Sequence, residues 1–462
     1  MRQHGRCSDR EPAAAHPLDR LAGLCQIIPP EVVEQALSES GRAEQRACPL
    51  SHRTMLWVVL AMGLLTHLPI RQVYKHARRM LGGQKTPARS SLCAARQRLG
   101  VEPVRAVFAR VVRPLATPTT PGAFYQGLRL MGIDGTVQDA PDTPANAARF
   151  ERSSGGRGDG AFPQLRKVSL VELGTHVEVA LAIGGWQDSE HQLVEQLWDA
   201  LPADALLIED RGFFSYDHWK TLAERGVKLL VRLKSNLVLK PLRRLSDGSY
   251  EAKIYPSSYE RSRDRNGVVV RVIEYTLDDP RRPGHGQTHR LMTNLFDGAR
   301  YPAVELACCY HERWEEELVF DEQKTHLDPR RAGKPAHFRS QTPAGVEQEV
   351  YALSLGHFVV RALMLAAAQT EQLDVDRLSF TGCLRILQAR LPECTSAHPL
   401  DRQRWYEWLL AEMAREKIEP RRNRTNPRVV KRKMSKYAKK RPEHRGRPPL
   451  QKAFADTVVI TQ

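Results

Sequence analysis

The chain has 462 residues, 41% of them hydrophobic, and 70 Lys and Arg against 53 Asp and Glu give a formal net charge of +17. That length predicts two or more domains with real cores, and the basic excess points to a polyanionic partner, nucleic acid before membrane. The longest apolar run, from Met55, is too short for a bilayer span, the first residues lack the apolar core of a secretory signal, and the cysteines show no zinc-finger spacing. The eight cysteines read as reduced thiols, and a cytoplasmic, nucleoid-associated protein with no membrane contact is expected.

Residues 1–17 read as a disordered tail and 18–120 as a helical DNA-binding domain. PEVVEQALSES starts with Pro at the first helical position and closes at Gly41, and HRTMLWVVLAMGLLTH is a buried helix. IRQVYKHARRML and ARSSLCAARQRLG form a basic helix pair around a Gly-Gly turn. It reads equally as a helix-turn-helix presenting Arg89, Arg96 and Arg98 to DNA, or as a helical hairpin with arginines in water.

Residues 121–239 read as the first part of an α/β core. LRLMGIDGT predicts a buried strand ending at a Gly turn, KVSLVEL and THVEVALAIGG a hairpin, and SEHQLVEQLWDAL a helix capped by Ser189. The strand ALLIEDRG, the helix YDHWKTLAERG and the strand KLLVRLKS follow. Three strands, helix, strand, helix, strand describe a mixed sheet with flanking helices, and no Gly-rich phosphate loop follows any strand. Residues 240–299 read as a β-rich insertion, 300–400 as the second, helical part of the core, and 401–420 as a C-terminal helix. The long apolar helix around His357 and Arg361 reads as core rather than membrane. Residues 421–462 read as a basic, flexible tail, in which 421–447 hold thirteen Lys and Arg against Glu443 alone.

Three acids stand where apolar strands or helices end or turn. Asp134 closes LMGID and Asp210 closes ALLIED, positions where, for a single Asp, a cap or turn former is the plainer account. The third lies in YHERWEEELVFDEQKTH, residues 310–326. On one continuous helix at about 100° per residue, Tyr310, Arg313, Glu317 and Lys324 share roughly a 60° stripe. Glu312, Glu315, Glu316 and Glu322 then fall on the opposite half, read as a solvated face. Asp321 remains the rival to Glu317, and strand alternation turns Glu209 away from Asp210. Intrahelical pairing of Arg313 with Glu317 and of Lys324 with Asp321 is the plainer account of the same stripe.

The spacing Y-x2-R-x3-E-x6-K resembles the YREK signature of DDE transposases of bacterial insertion sequences, in the insertion-sequence-four-type branch. GIDGT and LLIEDRGFFS resemble that branch's two Asp strands, and the element order and basic tail extend the likeness over nearly the whole chain. The resemblance implies an RNase H-like fold in which Asp134, Asp210 and Glu317 bind two Mg²⁺ ions, with Mn²⁺ as a substitute. It implies that Tyr310, Arg313 and Lys324 hold DNA ends. It also implies a homodimer on double-stranded DNA that cleaves terminal inverted repeats and joins the 3′-hydroxyls to a target. Arg232 and Lys234 are candidate backbone contacts, as are Arg432 and Lys433 in the tail, where Arg445 and Arg447 sit in a possible minor-groove hook. The insertion lacks the Trp that relatives can place near a flipped base; Tyr255, Tyr259 and Tyr275 are the aromatics there. Rival functions are a structure-specific nuclease on the same core and a domesticated DNA-binding protein without catalysis, which would have no need of the acid triad.

Overall fold

The computed structural model describes residues 20–44, 48, 50–78, 85–155, 158–234, 237–282, 284–328, 338–394, 398–419, 429–430, 438–442 and 452–461. Arg432, Lys433, Arg445 and Arg447 lie outside the described residues.

Five strands make the centre: β1 (Leu128–Asp139), β2 (Gly158–Glu172), β3 (Val177–Gly184), β4 (Ala205–Glu209) and β5 (Lys228–Arg232). Their spatial order is β3-β2-β1-β4-β5, with β2 antiparallel to its neighbours and β1, β4 and β5 parallel. This is the mixed sheet expected of an RNase H-like fold. One expectation fails in detail: β1 does not stop at Asp134. Gly135 pairs with Val168 and the ladder continues to Asp139 opposite Gln164, so this Gly serves a strand and not a turn.

The insertion is not a separate body. Its strands β6 (Tyr250–Ile254), β7 (Val268–Leu277) and β8 (His289–Thr293) extend the same sheet, because β8 pairs antiparallel with β5, matching Leu291 to Arg232. β6 covers one half of the outer edge of β7, from Val268 to Val272. The other half, Tyr275 to Leu277, is covered by β9 (Val458–Ile460). The end of the stretch expected to be a flexible tail is therefore a paired strand. It is fixed further by Phe454, whose ring stacks on His311 at 3.9 Å between centroids, and by Arg282, which donates to the Lys452 carbonyl at 2.7 Å.

The N-terminal helices Pro30–Glu39, His52–Leu64, Ile70–Ala77 and Arg89–Leu99 form where the sequence places them, and a further helix, Glu102–Val111, follows. They share one hydrophobic core with the sheet and the long helix Pro343–Thr370. The crossing of His52–Leu64 over the long helix Pro343–Thr370 explains how. A Cβ on Gly63 would lie 1.8 Å from the Ala352 carbonyl oxygen, and one on Gly356 would lie 2.7 Å from that of Gly63. Only glycine on both sides lets the two backbones approach this closely. The long helix is apolar and long enough to cross a membrane, yet 89% of its most apolar window is buried inside the protein.

Candidate active site

Strand alternation sorts the sheet into two faces. On one face, Leu130, Leu206, Ile208 and Leu230 pack against Ala303, Leu306, Ala307, Tyr310 and Val319, so this face is covered by the helices Ala303–His311 and Trp314–Asp321. The register row Ile133, Glu209, Val231 lies on the opposite face. Asp134, Asp210 and Arg232 each come one residue later and therefore head the three parallel strands on the helix-covered side. The apolar floor ends there, and the polar residues begin.

Asp134 is half-buried, and its Oδ1 accepts from the Gly135 N–H at 2.8 Å. Burial pushes its pKa above the ordinary carboxylate value. The Gly135 N–H and Arg313 oppose that rise, while Asp210 and Glu190 reinforce it. Asp210 follows β4, and its Oδ1 accepts from the Tyr310 hydroxyl at 3.3 Å. Glu209 points to the other side, as alternation requires, and is bonded to buried His218 at 2.8 Å. Two other nearby acids are engaged elsewhere: Asp139 accepts from Gln164, and Asp142 pairs with Arg152.

The helical stretch over residues 303–327 corrects the single-helix expectation. One helix ends at His311, a second runs from Trp314 to Asp321, and a π-helical turn follows over Glu322–Leu327. These irregularities change which side chains face inward. Glu315, Glu316 and Glu322, expected in solvent, are 5%, 0% and 3% exposed. Glu317, expected to face the two aspartates, has a side chain 47% exposed and lies 3.7 Å from Arg313 Nη2. Asp321 is solvent-exposed and faces His326.

Tyr310 and Arg313 are buried beside the acids. Burial raises the Tyr310 pKa, so its hydroxyl stays a donor to Asp210. Burial alone would lower the pKa of Arg313, but Glu316, Tyr310, Asp210 and Asp134 outweigh it and secure the charge. Glu316 lies 3.7 Å from Arg313 Nη1, and neither of its carboxylate oxygens has a hydrogen-bond partner. Burial, followed by the charge of Asp134, raises its pKa well above the usual range. Lys324 Nζ sits 5.3 Å from the Phe320 ring centroid, and Arg232 is half-buried next to His289.

Among the basic candidates of the N-terminal helices, Arg89 and Arg98 are exposed, as is Lys234 after β5. Arg96 is not available in the same way. Its guanidinium donates to Gln348 at 2.7 Å and to the Gly345 carbonyl at 2.6 Å, and it pairs with Glu349 at 3.3 Å. It fastens the Arg89–Leu99 helix to the long helix. Among the insertion aromatics Tyr275 is buried, whereas Tyr259 is 56% exposed.

Two buried polar clusters escaped sequence reasoning. Glu322 pairs with Arg361 and accepts from His357 Nε2 at 2.9 Å, and Arg361 also reaches His176 Nδ1. Lys167 donates to Glu178 and to Gln323, both at 2.7 Å. The signal for the first was present: His357 and Arg361, one helical turn apart on a buried helix, demand an internal acid. Among the described residues, His176, Glu315 and Asp376 are the group of ligand-type side chains drawn within 4.8 Å of one another. That group is poorly placed for a metal, because the Arg361 guanidinium already lies against His176 Nδ1. His176 Nε2 faces Asp376 Oδ1 at 3.3 Å. The acids about Asp134 are hard oxygen donors of the kind a divalent cation takes, and both Glu316 oxygens lack a hydrogen-bond partner.

The sheet thus sets two aspartates at the end of the paired stretch of two adjacent parallel strands, beneath an acid-bearing helix. Comparison with known proteins gives the family. The insertion element 4 transposase N-terminal family matches residues 18–109, and the transposase DDE domain family matches residues 126–355. The chain is 30% identical over 425 residues to transposase InsG for insertion sequence element IS4 of Escherichia coli strain K12, covering 90% of this chain and 93% of that protein. It is also 26% identical over 207 residues to putative transposase InsZ of the same organism, covering 44% of this chain and 68% of that protein. A solved chain of the piggyBac transposase synaptic complex with hairpin DNA overlaps 86% of this chain and 85% of its own length, at 11% identity and a TM-score of 0.44. The chain belongs to the IS4-type DDE transposases.

Proposed function

We propose that this transposase binds the terminal inverted repeats of an insertion sequence, cleaves the ends at the Asp134/Asp210 site and joins the freed 3′-hydroxyls to target DNA. One observation carries the reading. Asp134 and Asp210 head neighbouring parallel strands on the face covered by the helices of the YREK stretch, and Tyr310 from that stretch bonds Asp210 directly. Asp134, Asp210 and the signature's Glu317 would hold two Mg²⁺ ions, or Mn²⁺ in their place. Bound there, the ions supply activation of a water or 3′-hydroxyl and neutralisation of the leaving oxygen.

The protein's own groups set the stage. Tyr310 orients one Asp210 oxygen, which leaves the other for binding. Arg313, kept charged by the surrounding acids, is the cation best placed to receive a terminal phosphate as its own carboxylate partners turn to other ligands. Lys324 adds a point charge further along the π-helical turn. Arg89 and Arg98, exposed on the N-terminal domain, Lys234 and Arg232 beside the sheet, and the basic run containing Arg432, Lys433, Arg445 and Arg447 would track phosphates. Binding should therefore fall steeply with salt. A homodimer bridging two ends completes the reading.

The test uses a supercoiled donor carrying paired inverted repeats. Asp134→Asn and Asp210→Asn should abolish cleavage and joining in Mg²⁺ while end binding in a mobility-shift assay persists. Unchanged cleavage by either variant refutes the site. Cleavage by the wild type without any joining of a 3′-end to a second duplex makes the protein a nuclease instead.

A further inference from the structure

We propose that Glu316, the residue before the signature glutamate, is a further carboxylate of the metal site, acting with Asp134 and Asp210. The proposal rests on the metal-site reading above and adds a residue that the YREK pattern does not include.

The geometry points to it from three sides. First, Glu316 is buried over Gly132, where a Cβ would lie 1.7 Å from its Oε1. Gly132 and Asp134 are two residues apart on β1 and so share a face, about 7 Å apart along the strand. The carboxylate thus occupies a notch in the strand that only glycine leaves open, next to the first aspartate. Second, both oxygens lack a hydrogen-bond partner, and Arg313, the cation that faces them, stands off at 3.7 Å. A carboxylate removed from water without donors is costly, and an aliphatic side chain would fill an inward helix position without that cost. A cation shared with the neighbouring aspartates satisfies these oxygens. Third, the signature glutamate next to it is half in solvent. Glu316, by contrast, is wholly buried against the strand position two before Asp134, on the sheet face that Asp210 also heads.

Glu315 and Glu322 do not compete for the role. Glu315 accepts from the Gly174 N–H, and Glu322 is held by Arg361 and His357. Glu190, whose carboxylate lies beside Gly135, approaches from an odd-numbered position of β1, on the opposite face from Gly132.

The experiment measures Mn²⁺ binding to the full chain by electron paramagnetic resonance of free Mn²⁺, alongside thermal unfolding with and without the ion. The variants are Glu316→Gln, Glu316→Leu and Asp134→Asn. If Glu316 is a ligand, Glu316→Gln weakens Mn²⁺ at least about tenfold. Glu316→Leu then loses the ion-induced rise in melting temperature, while its ion-free melting temperature equals or exceeds that of the wild type. If both Glu316 variants bind Mn²⁺ as the wild type does while Asp134→Asn loses it, Glu316 is only a buried acid and the proposal falls. If Asp134→Asn also binds normally, the underlying metal-site reading fails instead.

Discussion

Replacing Arg361 by Met tests whether the YREK stretch is held from below by an internal ion pair. Arg361 and Glu322 have side chains only 2% and 3% exposed, and Arg361 Nε donates to Glu322 Oε2 at 2.8 Å while Nη2 reaches Oε1. Removing the cation leaves a buried carboxylate supported by His357 and His176 alone. Breaking such a pair costs about 3–5 kcal/mol, read as a lowered urea midpoint by circular dichroism at pH 7. The double variant Arg361→Met, Glu322→Leu should be less destabilised than Arg361→Met alone, because no charge is then stranded. The pH dependence has a definite sign. Burial alone would raise the Glu322 pKa, but Arg361, His176 and His357 hold it well below its usual 4.5. Its stabilising contribution is therefore complete above the unfolded value and lost as pH falls through the folded one. The gap between wild type and Arg361→Met should be full at pH 7 and narrow on acidification. A cost below about 1 kcal/mol, or a gap that widens in acid, would refute the argument.

Arg96→Ala should lower stability without changing the salt slope of DNA binding, whereas Arg98→Ala should leave stability intact and flatten that slope by about one phosphate contact; mobility shifts across a salt series, with melting curves, separate the two. Tyr310→Phe removes the hydroxyl that donates to Asp210 and should slow end cleavage by roughly three- to tenfold, a part of what a hydrogen bond to a charged group is worth, with end binding preserved. Gly63→Ala drives a methyl into the Ala352 carbonyl and should destabilise by about 1–3 kcal/mol; a melting temperature equal to wild type would show that the helix crossing is looser than described.

Much of the fold was legible because strand and helix periods are local. Ser189 caps its helix, with Gln192 completing the box, and the alternation that turns Glu209 away from Asp210 can be read from two adjacent letters. Where the reading failed, the cause lay in something a uniform period cannot encode. Gly135 looked like a turn because its neighbours are small and polar, yet its partner Val168 lies across the sheet. Glu315, Glu316 and Glu322 were misassigned to a solvated face because a helix break near Arg313 and a π-helical turn at Glu322 shift the angular phase on which the stripe was drawn. Arg96 was read as a surface charge because its partners, Gln348 and Glu349, are some 250 residues away. Val458–Ile460 was hidden by the basic composition upstream of it.

That last strand has a bearing on how the protein is made. Half of the outer edge of β7 has no partner until residues 458–460 arrive, long after β7 itself has been synthesised. During that interval Tyr275–Leu277 present an unpaired edge to whatever is nearby, the kind of surface that recruits foreign strands. A product cut short before residue 458 would keep that edge open for good, and its expected fate is aggregation or proteolysis rather than a partly active enzyme.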